Sequence, residues 1–409
     1  MQVLFRIRSG HSVVMAVMAA VLCLTMAGCS NLLRQPVPTA SAQQAVVSGY
    51  TGIRFLPLTE PLPIRQAIEA AFDKETPENY ETLADGTHVY NYLAVSGGGS
   101  DGAFGAGLLN GWSKVGGRPR FKVVTGVSTG ALIAPFAFLG SAYDEPLKLS
   151  YTTIDANHIF LRRSLLSLFW AEAVTDSAPL HELVASYIDD KVLNAVAVEH
   201  AKGRRLYVAT TNLDAEEPVI WDMGAIASSK NPERLKLFRR IMVASASIPT
   251  VFPPVLLDVT VDGRRYDEMH VDGGVFFQSF SIGSVADLPS VIAAAHPGFT
   301  GKLVQRLYVI RNGWVTPAPQ PVKRSLTDIS LRAIGTMLKV SGINDLWRLY
   351  LSSIHDKLEF NFIAIPADYK ALTTEQFDKA EMNHEFNYGE QLALKGIPWR
   401  NLPPGYTLK

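Results

Sequence analysis

The sequence predicts an α/β fold with a mostly parallel central sheet flanked by helices. Three observations carry this. From His88 onward, apolar strand-length runs alternate with helix-length apolar stretches. Glycine-rich turns join the first two strands to the helices that follow them. Charged residues are only 19% of the 409 and apolar residues 47%, which suits a large sheet covered on both faces.

In chain order, residues 1–28 stand outside that fold. Arg6 and Arg8 precede a continuous apolar run without any acid, the pattern of an export signal. The run ends in Met26-Ala27-Gly28-Cys29, which resembles the lipobox of bacterial lipoproteins, with Met26 where leucine is usual. The resemblance implies cleavage after Gly28, lipidation of Cys29 and a lipid-anchored protein of the cell envelope. Ser30 follows where an aspartate would signal retention at the inner membrane, so the outer membrane is the expected home. An uncleaved anchor is the alternative, but the run falls short of the ~20 residues a spanning helix needs. Cleavage leaves 36 basic against 38 acidic residues. It also leaves Cys29 as the sole cysteine, so no intrachain disulfide or cysteine metal site is available. The near-zero charge offers no field for nucleic acid. No pattern speaks to oligomeric state.

Residues 29–87 read as an N-terminal tether and a short helix. Pro, Ser, Thr, Ala and Gln dominate 30–60, while Ile64, Ala67, Ile68, Ala71 and Phe72 form one helical face within 61–75. Residues 88–400 read as the folded domain. Its strands are expected at 88–95, 121–127, 204–213, 302–312 and 358–366, and helices at 105–115, 129–140 and 377–393.

The turn after the first strand is "SGGGSDGAFGAG", and it raises the question of what needs so much bare backbone. Gly97, Gly99 and Gly102 match G-x-G-x-x-G, but the following strand ends in Thr125-Gly126 without the acid a dinucleotide site requires. No Gly-Lys-Ser/Thr follows, which excludes a P-loop. The second turn, Gly126-Val127-Ser128-Thr129-Gly130, is a G-x-S-x-G between an apolar strand and an apolar helix. Its glycines permit a sharp turn that exposes Ser128, and the following helix points its N-terminus there. A plain helix-capping serine is the competing reading. For a nucleophilic Ser128, the consecutive amides of Gly97, Gly98 and Gly99 can supply an oxyanion hole. No histidine stands in an evident catalytic setting; His181, His296 and His384 read as helix residues, and His270 is the one to watch.

Taken together, these blocks resemble the patatin-like phospholipases. Gly97–Gly102 is similar to that family's oxyanion loop and Gly126–Gly130 to its nucleophile elbow. "ASASIPTVFPPV" (244–255) resembles its Ser-Ile-Pro segment, Asp272-Gly273-Gly274 its acid turn, and 377–393 its last helix. The resemblance covers roughly 88–393. It implies a three-layer fold and a membrane-anchored lipid acyl hydrolase of the phospholipase or lysophospholipase type. It also implies a Ser128–Asp272 dyad, an acyl-enzyme and membrane lipids as substrate; no calcium loop or other metal-ligand spacing stands out in the sequence, so no metal or cofactor is expected. One departure stands out: Asp101 occupies a loop position where many members carry Arg or Lys, and would oppose a negative intermediate unless it points away or pairs with a base such as Arg118 or Lys122. Two other readings remain open. One is a noncatalytic envelope lipoprotein that binds lipid or a partner in such a cavity. The other is a serine hydrolase with His270 or His296 as base. The apolar segment 164–174, after Arg162 and Arg163, is expected either at the site mouth or as a core helix.

Overall fold

The computed structural model describes residues 34–162, 172–281, 288–295, 297 and 302–406. The expected signal segment, Cys29, His296 and most of the apolar 164–174 segment lie outside these residues.

The main sheet contains β1 (His88–Val95), β2 (Val123–Val127), β3 (Arg205–Asn212), β4 (Glu217–Asp222), β5 (Val255–Val261), β6 (Arg264–Asp272), β7 (Leu303–Arg311) and β8 (Leu358–Ala364). Its order is β5-β6-β3-β2-β1-β7-β8, with β4 branching from β3. Pairing is parallel from β3 through β2, β1 and β7 to β8. It is antiparallel where β4, β5 and β6 join. The hairpin between β5 and β6 turns at Asp262 and Gly263, both with positive φ (49° and 77°), the backbone a tight hairpin turn requires. The parallel part matches the sequence expectation, and the antiparallel edge adds to it.

Alternation along β1 sends side chains into two cores. Leu93 and Val95 join Phe104, Ile133, Phe238 and Phe386 on one face. Tyr90, Tyr92 and Ala94 join Ile64, Phe72, Leu346 and Phe362 on the other. The helices divide accordingly: α1 (Pro61–Asp73) and α5 (Leu326–His355) cover the second face, while α2 (Gly102–Lys114), α3 (Thr129–Leu139), α4 (Arg234–Ser245) and α6 (Lys379–Leu394) cover the first. The result is three layers. All residues of β1 from Val89 on and all of β3 are buried, which explains the largely apolar run of β1, while β3 also buries Arg205, Thr210, Thr211 and Asn212.

Glycines beyond the first turn serve packing. A Cβ on Gly107 would lie 2.0 Å from the Phe386 carbonyl oxygen, one on Gly111 2.5 Å from that of Glu390, and one on Gly389 2.4 Å from that of Phe104. The backbones of α2 and α6 therefore touch directly, and any side chain would force them apart.

The tether expectation needs correction from Arg34 onward. Val46–Val47 pairs with β5 and Arg54–Phe55 with β4. Arg34 binds Asp214 (2.6 Å) and Asp267 (2.7 Å). Arg54 forms a largely buried ion pair with Glu268. Two-residue strand pieces set among Ser, Thr and Pro carry little periodicity, which is why the sequence reads as a linker there.

One feature of the sheet positions the site. β4 runs along one edge of β3 from Tyr207 to Asn212. β2 and β6 share the other edge end to end: Val127 pairs with Ala209, and Asp272 with Thr210. The two strands meet head-on, and their terminal residues arrive at adjacent positions of β3.

Candidate active site

Ser128 follows the last residue of β2 and precedes α3. Its φ of 56° and ψ of −127° are strained for a residue with a side chain. The flanking glycines make this turn possible. A Cβ on Gly126 would meet the Gly130 carbonyl oxygen at 2.4 Å, and one on Gly130 the Val95 carbonyl oxygen at 2.2 Å. Ser128 N–H donates to Ser245 Oγ (3.0 Å), whose own hydroxyl donates to the Ala209 carbonyl (2.7 Å). Ser245, at the end of α4, thus ties the elbow to β3. The sequence marked 244–255 only as a block; no periodicity could show that one hydroxyl bridges two elements.

Ser128 Oγ donates to Asp272 Oδ2 at 2.6 Å. Asp272 Oδ1 accepts the Gly274 amide at 2.6 Å. The Asp272 backbone is fixed by Ser247 O (2.9 Å) and Thr211 Oγ1 (3.1 Å). Gly273 packs against β3, where a Cβ would lie 2.5 Å from the Ala209 carbonyl oxygen. Burial raises the Asp272 carboxyl to about 7, against the opposing pull of the hydrogen bonds from Ser128 and Gly274. A carboxylate in this range holds a proton far better than one in water.

Among the described residues no histidine nitrogen bonds Ser128. His270 is wholly buried, with Nδ1 on Thr210 Oγ1 (2.9 Å) and Nε2 on Glu268 (3.2 Å). Its neighbours occupy both nitrogens, and burial lowers its pKa. His181 lies in the helix Ala178–Tyr187, and His384 contacts the Lys370 carbonyl (3.3 Å).

The glycine turn lies against the serine: a Cβ on Gly97 would be 3.1 Å from Ser128 Cβ. The Gly97 amide, however, donates to the Gln278 carbonyl (3.0 Å), so it is not free for a substrate oxygen. Among the described residues the Gly98 and Gly99 amides have no acceptor, and these two remain as donors. Gly102 donates within its own turn and packs on the elbow, where a Cβ would lie 2.3 Å from Thr129 Oγ1.

Arg311, at the end of β7, went unremarked in the sequence. It is almost fully buried beneath the glycine turn. Its Nη1 donates to the Gly97 carbonyl (2.9 Å), Ser96 Oγ (3.1 Å) and Gln278 Oε1 (3.2 Å). Asn312 adds two bonds to Ser96, from its amide to Oγ (2.9 Å) and from Nδ2 to the carbonyl (2.8 Å). The charge of Arg311 faces Asp101 and Asp345. Asp101 therefore pairs with neither Arg118, which binds Asp144 (2.5 Å), nor Lys122, which binds Glu75 (3.1 Å). Burial raises the Asp101 carboxyl to about 7 despite Arg311, and Glu381 pushes it the same way. The cation that the loop sequence lacks arrives from a neighbouring strand. Arg311→Lys keeps the charge, but the lysine side chain ends one bond short of the Nη1 that reaches all three acceptors. Turnover of a soluble ester should fall on the order of tenfold, with KM little changed, since about one charged hydrogen bond is lost. Steady-state kinetics checks this, and unchanged kcat would remove Arg311 from the site.

Comparison with known proteins adds the family. Residues 93–280 match the family model described as patatin-like phospholipase. The chain thus contains a patatin-like phospholipase domain, in the three-layer α/β architecture described above. VipD from Legionella pneumophila is similar at 11% identity, over 78% of this chain and 70% of that one, with a TM-score of 0.35. The type III effector protein ExoU is similar at 15% identity, over 78% of this chain and 57% of that one, with a TM-score of 0.19. Neither likeness is strong enough to bear on mechanism. Comparison with curated proteins gives no match. The match over residues 93–280 supports lipid acyl hydrolysis as the general activity.

Proposed function

We propose that the chain is a serine lipid acyl hydrolase that works through an acyl-enzyme, with Ser128 as nucleophile and Asp272 as general base. The observation that carries this reading is the direct 2.6 Å hydrogen bond from Ser128 Oγ to a buried carboxylate raised to about 7. Ser128 Oγ attacks the acyl carbonyl carbon as its proton passes to Asp272 Oδ2. The carbonyl π pair moves onto oxygen, where the Gly98 and Gly99 amides can receive it. Collapse expels the alcohol, which takes the proton from Asp272. Water then attacks the acyl-enzyme, delivers its own proton to Asp272, and the acid leaves as Ser128 is reprotonated.

An apolar pocket beside the elbow suits the acyl group. It encloses ≈ 490 Å³ counting its open mouth, and Tyr151, Leu183, Met242 and Phe377 contribute to its walls. Thr129, Leu132 and Phe136 line it from one face of α3, a run of about 10 Å along the helix. In this proposal lipidated Cys29 holds the enzyme at a bacterial envelope membrane, the outer one on the grounds of Ser30. The support for that part is the sequence of residues 1–30 alone.

The test is covalent labelling. A fluorophosphonate should modify the protein once, at Ser128, as mapped by peptide mass spectrometry. An adduct on another serine, or none on protein that still cleaves the ester, would overturn the assignment.

A further inference from the structure

The N-terminal half of α5 projects an apolar stripe into solvent. Leu326 is 84% exposed, Ile329 53%, Met337 70% and Val340 48%. With the exposed Ala333, these residues recur at helical spacing and form one continuous face. Such a face on a folded domain marks contact with something apolar. The stripe continues toward the candidate active site. Met337 and Val340 border an open groove with Phe276, which follows the acid turn by two residues and is 37% exposed. The helix is firmly held there: Asp345 accepts the amides of Gln278 (2.6 Å) and Ser279 (3.1 Å), while Leu346 and Leu349 are buried. Ser325 caps its other end through the Asp328 amide (3.0 Å). The stripe is thus a preformed helix on a rigid mount.

Its charge narrows the choice of partner. The stretch 323–341 carries Lys323, Arg324, Arg332 and Lys339 against the single acid Asp328, within a chain whose charges balance overall. Arg332 and Lys339 each donate to a backbone carbonyl, of Ala318 (2.7 Å) and Thr316 (3.0 Å), so their charges stay beside the stripe. An apolar face with basic flanks suits an anionic lipid surface. A second copy of the same face would bring like charges together.

We propose that the face of α5 from Leu326 to Val340 docks on an anionic bilayer and presents the Phe276 side of the candidate active site to it. The choice of a lipid partner rests on the hydrolase reading above; the surface itself does not.

The N-terminal apolar run can bring the chain to a vesicle by itself, so the readout must be local. In the full chain with Cys23→Ala, Cys29→Ser and Ser128→Ala, an environment-sensitive fluorophore is placed at Met337→Cys. The control site is Val198→Cys, on a helix in the opposite layer. On vesicles of phosphatidylglycerol and phosphatidylcholine, emission at 337 should shift to the blue and be quenched by a spin-labelled lipid, while 198 stays silent. Lys323→Gln with Arg324→Gln should weaken this docking roughly 30-fold, from two lost charges, and pure phosphatidylcholine should abolish it. No quenching at 337 on anionic vesicles overturns the proposal. A blue shift at 337 that grows with protein concentration without lipid also overturns it, in favour of a second copy. Hydrolysis of a soluble ester by the wild-type chain is scored separately. Its absence alongside quenching at 337 would sink the hydrolase reading and leave the docking surface standing.

Discussion

Asp272→Asn is expected to lower turnover of a soluble ester by on the order of 10²–10⁴-fold, the usual contribution of a general base. The substitution preserves shape: the asparagine carbonyl can still accept the Gly274 amide that now binds Oδ1. What it removes is the capacity to take the Ser128 proton. Wild-type turnover should rise with pH through about 7, as Asp272 ionises. The same variant should be more stable than the wild type in mild alkali. In the folded chain the carboxyl binds its proton up to about 7, and in the unfolded chain only to its ordinary value of 3.8. Its favourable contribution is therefore complete below 3.8 and is lost as pH rises to about 7. Above that, ionisation costs the fold roughly 4 kcal/mol at 1.36 kcal/mol per unit. Thermal melts at pH 5 and pH 8 should show the variant gaining most at pH 8. A variant that keeps near-wild-type turnover would disprove the dyad. An equal gain at both pH values would disprove the raised carboxyl.

Gly98→Ala should lower kcat on the order of 10²–10³-fold, the effect of losing one oxyanion donor. The new Cβ would lie 2.0 Å from the Asn312 carbonyl oxygen and 2.7 Å from its Cβ. Asn312 cannot easily yield, because its amide and side chain both hold Ser96. The turn must move instead, and with it the two amides proposed as oxyanion donors. Gly335→Ala is the matched control: a Cβ there meets nothing within 4 Å, and kcat on a soluble ester should not change. Circular dichroism separates a displaced turn from an unfolded chain. Normal kcat in a folded Gly98→Ala protein would mean that the oxyanion is bound elsewhere.

Much of this arrangement was legible in the residues. Val89 to Val95 reads as a central strand because both faces of it are buried. Ser128 stands out because two glycines enclose it between an apolar strand and an apolar helix. Other parts left no local trace. Arg311 lies 214 positions from the Gly97 carbonyl it binds, and Ser245 lies 117 from the Ser128 amide. Only the folded sheet brings such pairs together. Gly97 appears equivalent to Gly98 in sequence, yet its amide is taken by Gln278. The long helix α5 was also hidden, since its exposed apolar stripe and its glycines at 335 and 342 blur the usual one-sided pattern.

The head-on meeting of β2 and β6 has a mechanical meaning. Val127 and Asp272 are paired with Ala209 and Thr210, so the offset between the strand ends that carry the dyad is one backbone repeat of β3, about 3.3 Å. That length is a covalent constant of the chain, whereas a distance between two loops would vary with temperature and packing. β3 acts as a ruler lying under the dyad, buried along its whole length. Loosening of the helices on either side would thus widen access to the pocket well before it lengthened the bond between Ser128 and Asp272.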